Sequence, residues 1–170
     1  TILSLLAAPA YAQDAAEEPE FDASVLETCL ENASQRQQQG EDADRQSCIG
    51  VASDQCMEGP GGYSTVGMST CMGEELDLWD AKLNEAYKTL SEKARATDKD
   101  MGELGSAAEK QEPLLQDMQR KWIAFRDAAC SFERSQWGGG SGGGPASVTC
   151  MMDVTAQQYI RLQGYIDAAN

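Results

Sequence analysis

The feature that most constrains the fold is a run of apolar residues at helical spacing in the middle of the chain. Met72, Leu76, Trp79, Leu83, Tyr87, Leu90 and Ala94 follow one another at intervals of four, three, four, four, three and four. An α-helix turns once in about 3.6 residues, so this order lays one unbroken apolar seam over several turns. Ala86 widens the seam, whereas Glu75, Asp77, Lys82, Glu85 and Lys88 read as solvent-facing. A helix is expected from about Thr65 to Ala96, with a polar connection over Lys99 to Gly105 where the period fails.

Two further seams follow. From Gln111 to Glu133, Leu115, Met118, Trp122, Phe125, Ala129 and Phe132 alternate at threes and fours, with Gln119, Arg120, Lys121 and Arg126 on other faces. From about Thr149 to Ala168, Met152, Thr155, Tyr159, Leu162 and Ile166 point inward. Between them lies Gly138-Gly139-Gly140-Ser141-Gly142-Gly143-Gly144-Pro145, which does not sustain a helix interior. Upstream, shorter helices are expected over Asp22–Gln37, with Phe21, Val25, Cys29 and Ala33 on one side, and over Asp44–Met57, with Cys48, Ile49 and Ala52 inward. Gly40 and the acidic Glu41-Asp42 turn separate them, and Glu58-Gly59-Pro60-Gly61-Gly62 breaks the chain before the long helix. No β-alternation and no fixed repeat is evident. The expected fold is all-α: one small disulfide-stapled bundle of three long amphipathic helices, residues 58–170, preceded by a helical hairpin over 21–57.

The cysteines and the N-terminus speak to compartment. Thr1 to Ala12 reads as the apolar core and small-residue cleavage site of a secretory signal peptide, entered partway, and residues 13–20 as a disordered acidic leader. Cys29, Cys48, Cys56, Cys71, Cys130 and Cys150 contain no C-x-x-C pair, and without histidine a zinc site is a poor rival to structural disulfides. Pairing between sequence neighbours, Cys29–Cys48, Cys56–Cys71 and Cys130–Cys150, is the simplest of about fifteen arrangements. A periplasmic or secreted protein is expected, with no stable membrane insertion.

Lys plus Arg total 13 against 28 for Asp plus Glu, a formal net charge of −15. That balance opposes nucleic acid and anionic lipid. It is equally compatible with a basic protein partner and with plain solubility. The absence of histidine removes Ser-His and Cys-His catalysis, haem attachment through C-x-x-C-H and the usual metal ligands. Paired carboxylates such as Glu74-Glu75 read as surface charge rather than as a glycosidase pair. No catalytic residue, cofactor or metal is assigned, and an enzyme is not expected. Trp79 and Trp122 lie on core stripes, and Arg126-Asp127 reads as a structural ion pair reaching Asp80 or Glu75 on the long helix. The glycine-rich stretch is either a flexible connection held by Cys130 and Cys150 or a presented loop. In the second case Trp137, Gly139, Ser141 and Gly143 would meet a partner, although Trp137 reads equally well as a plug under the loop.

In order along the chain come Cys56, Ser64-Thr65-Val66-Gly67-Met68-Ser69-x-Cys71, and Trp79-Asp80-x-x-Leu83-Asn84-x-x-Tyr87-x-x-Leu90. Then follow Gln119-x-x-Trp122-x-x-Phe125-Arg126-Asp127-x-x-Cys130, the Gly-Gly-Ser-Gly loop, Cys150 and the Thr155 to Leu162 helix. This series resembles the lysozyme inhibitor LprI family from Cys56 to about Ile166. It departs from the family's pattern at Thr65-Val66 and Met68-Ser69, and the Cys29–Cys48 region lies outside the resemblance. The resemblance implies an exported helical domain that binds and inhibits lysozyme, with Asn84 and Tyr87 among its structural residues. A general periplasmic interaction or envelope-maintenance module is the alternative, since fold alone does not fix function.

Overall fold

A computed structural model describes residues 17–41 and 44–168. The signal-like segment 1–12 and residues 13–16 of the acidic leader lie outside the described residues. Among the described residues five α-helices follow one another: α1 Ala23–Gln38, α2 Val51–Glu58, α3 Thr65–Glu103, α4 Gln111–Ser135 and α5 Gly143–Ala168, with a 3-10 turn at Arg45–Cys48 before α2. No strand occurs among the described residues. α3 and α5 form the principal packing pair, α4 lies mainly against α5, and α1 and α2 cover the N-terminal half of α3.

The α3 seam organises the interior. Trp79 joins Leu26 and Leu30 of α1, Cys48, Ala52 of α2 and Met152 and Ala156 of α5 in one cluster. Leu83, Ala86 and Ala94 meet Leu115 of α4 and Leu162 and Ile166 of α5 in a second. Tyr159 packs against both, its ring 5.6 Å from that of Trp79. Half-buried Tyr87 and Trp122 close the second cluster, while Asn84 stays exposed and donates to Asp80 one turn away at 2.9 Å. Three disulfides join sequence neighbours: Cys29–Cys48, Cys56–Cys71 and Cys130–Cys150.

Two carboxylates on α3 cap the helices beside it. Glu75 is fully buried rather than solvent-facing. It accepts from the backbone N–H groups of Gly50, Ala52 and Ser53 at 2.7, 3.0 and 2.7 Å, and from the Trp79 indole at 2.9 Å. The N-terminus of α2 carries unpaired N–H groups and a positive dipole end, so a carboxylate there is stabilised rather than stranded. Farther along, Asp98 accepts from Gln111 N and Glu112 N at 2.6 and 2.9 Å and starts α4. Elsewhere local caps suffice. Asp22 accepts from Ser24 N at 2.9 Å, a hydrogen bond that holds its carboxyl below the ordinary range. Ser64 Oγ accepts from Gly67 N at 2.8 Å.

Several boundaries and faces differ from the expectation. The expected Asp44–Met57 helix is two pieces, because Gly50 takes φ +91°. α3 continues through Glu103, and its last residues, from Lys99 on, are exposed. The helix stops where Gly105, at φ +67°, turns the chain, with Ser106 N donating to Met101 O at 2.9 Å. α5 begins at Gly143 rather than Thr149, since a proline in the first turn forfeits no intrahelical bond. Phe125 and Phe132 are 62% and 64% exposed, not inward. Their stripe advances by about 3.5 residues per turn, so on a straight helix it drifts off the buried face by ~20° per heptad. The α3 seam, with more fours than threes, does not drift.

Candidate functional site

The end of α4, the turn after it and the first half of α5 form a shoulder tied by Cys130–Cys150. The turn spans only Gln136 to Gly142. Gly138 and Gly139 take φ +54° and +85°, which glycine adopts without strain. Trp137 N donates to Arg134 O at 3.3 Å and Gly140 N to Trp137 O at 2.8 Å, so the turn is hydrogen-bonded through its tip. A Cβ at Gly142 would overlap the six-membered ring of Trp137. The six-membered ring of the indole therefore occupies the space a Gly142 side chain would need, and Trp137 remains 53% exposed.

Trp137 is thus neither a buried plug nor a freely swinging anchor. It forms one wall of a cleft of about 460 Å³ between α4 and α5, with Glu133 from α4 and Thr149, Asp153, Val154 and Gln157 from α5. No lysine or arginine lines this cleft among the described residues. Asp153 is half-buried, and burial, assisted by the nearby charge of Glu75, raises its carboxyl above the ordinary value. It makes no hydrogen bond or ion pair among the described residues. Gly139 and Gly143 line a separate groove with Arg134 and Ser135, and Ser141 is exposed. Gly143 is not presented to solvent. It is buried as the first residue of α5, with the Arg134 carbonyl within 3.3 Å of where a Cβ would stand.

Arg126 does not reach α3. Its Nε and Nη2 donate to Oδ1 of Asp127 at 3.0 and 2.9 Å, and its guanidinium lies 5.0 Å from the Trp122 ring centroid. The pair stays on α4 because its own neighbour and the indole below satisfy it. The sequence marks neither Asp153 nor Glu133 as a site residue. The available signal was weak: Asp153 is a lone charge in an otherwise uncharged stretch from Gly143 to Ile160.

Among the described residues the fold is a disulfide-bridged helical bundle. The family model described as Lysozyme inhibitor LprI matches residues 56–162, and the chain belongs to this family. The match takes in α3, α4, two disulfides and the cleft, and leaves out the Cys29–Cys48 hairpin. The chain is also similar to an uncharacterized protein of Rhizobium meliloti (strain 1021), 26% identical over 106 residues, covering 62% of this chain and 76% of that protein. No solved structure matches it. No helix among the described residues is long and apolar enough to cross a membrane.

Proposed function

We propose that this protein is exported, binds lysozyme and inhibits it by covering the enzyme's cleft. The observation that carries this reading is membership of a lysozyme-inhibitor family over the segment that builds the shoulder. The net charge of −15 supports a basic partner such as lysozyme, and opposite charges accelerate encounter. The signal-like N-terminus and three disulfides support a periplasmic or secreted location. An inhibitor needs no catalytic group, in keeping with a chain that contains no histidine.

Trp137 is the proposed contact residue: an aromatic ring half-exposed on a rigid turn loses little entropy on docking. The test is a titration of the oxidised mature protein into several lysozymes, reading lysis of bacterial cell walls. Inhibition at micromolar protein or below is expected, with Trp137→Ala weakening it at least tenfold. No inhibition of any lysozyme would leave a general envelope interaction module. Full inhibition by Trp137→Ala would move the contact away from the shoulder.

A further inference from the structure

We propose that the cleft between the end of α4 and the first half of α5 receives one arginine side chain from the basic protein partner. The inference deepens the inhibitor reading and rests on it for the identity of that partner. Three observations converge on one cavity. The first is its size, about 460 Å³, an open cleft within the roughly 300–1,000 Å³ range of ligand-binding clefts and large enough for one side chain. The second is its polarity: two carboxylates, Asp153 on one wall and Glu133 on the other, with no basic residue between them. The third is the indole of Trp137, pinned by the Gly142 backbone at the same cavity and half open to solvent.

Arginine fits this combination better than lysine or a neutral side chain. Its planar guanidinium pairs side-on with a carboxylate while stacking on an aromatic ring. The protein already uses that stacking on α4, where the Arg126 guanidinium lies over Trp122. Asp153 is also a group in want of a cation. It is half-buried, lies near the buried charge of Glu75, and has no counter-ion among the described residues. An incoming guanidinium would relieve both penalties, so the charge becomes favourable only in the complex. Glu133, exposed at the rim, would add attraction on approach but little to the final affinity.

The test uses the full oxidised protein and two probes. Acetyl-arginine amide is titrated and followed by NMR at the Trp137 indole N–H and the Asp153 backbone amide, with the neutral isostere acetyl-citrulline amide as control. Saturable shifts with arginine and none with citrulline are expected, and Asp153→Asn should abolish them without lowering the melting temperature. In parallel, the Kd for lysozyme is expected to rise at least tenfold in Asp153→Asn and less in Glu133→Gln. Arginine binding without inhibition of any lysozyme would uphold the cleft and refute the inhibitor reading. Lysozyme inhibition undiminished in Asp153→Asn, or equal shifts from both amides, would overturn the arginine site and leave the inhibitor reading standing.

Discussion

Glu75 is the residue on which the N-terminal half of the bundle depends. Its four accepted hydrogen bonds join α3 to the start of α2 and fix the Trp79 indole, all away from water. Glu75→Gln keeps the shape but replaces one acceptor oxygen with a donor that faces other donors. The expected cost is about 2–3 kcal/mol, measured by urea unfolding, because charge-assisted bonds are lost and buried N–H groups are left unpaired. Asp153 makes the opposite case. Burial raises its folded carboxyl above the ordinary 3.8, so the folded chain holds that proton more tightly than the unfolded chain. Stability therefore falls as pH rises from about 3.8 through the raised folded value, and the full penalty is present at neutral pH. Asp153→Asn is expected to melt higher than the parent at pH 7, with the difference vanishing at pH values where Asp153 is protonated in both states. A variant that gains stability while losing partner binding is the signature of a binding residue, not of a packing one.

At the scale of elements, the α3 seam was legible because its spacing tracks the helical repeat: Met72 is buried, as are Trp79, Leu83 and Ala94. What escaped the sequence was of two kinds. Polarity conceals Glu75, since a carboxylate beside a seam reads as solvent-facing when its partners are backbone N–H groups of another helix. Periodicity misled at both ends of its use. It lapses at Lys99 although the helix runs on, because residues 99–103 are exposed and carry no buried face, and it places Phe125 and Phe132 inward although their stripe drifts away. The glycine stretch is less of a loop than its composition suggests: Gly143, Gly144 and Pro145 belong to the first turn of α5, and only Gln136 to Gly142 forms the turn. Gly142→Ala tests how tightly that turn positions the site. The added Cβ must push the Trp137 ring aside, which is expected to change tryptophan emission and weaken inhibition several-fold, at a cost in unfolding free energy of about 1–3 kcal/mol. Unchanged emission and inhibition would show that the ring does not rest on the glycine.

For the whole molecule, charge and shape divide the work. In the proposed complex a net charge of −15 would draw a basic partner from any direction, so the association rate is expected to fall several-fold between low and moderate salt, measured by stopped-flow mixing with lysozyme. Orientation must come from a smaller feature. The shoulder offers one: a disulfide-held ledge with a half-exposed indole and an uncompensated carboxylate. The N-terminal hairpin lies outside the family match, yet Leu26 and Leu30 of α1 share a core cluster with Trp79. The most direct measurement is competition for lysozyme between this protein and a soluble oligosaccharide that fills the enzyme's cleft, followed by calorimetry. If the protein covers the cleft, saturating oligosaccharide should weaken its apparent affinity in proportion to oligosaccharide occupancy. A ternary complex formed with undiminished affinity would contradict inhibition by occlusion.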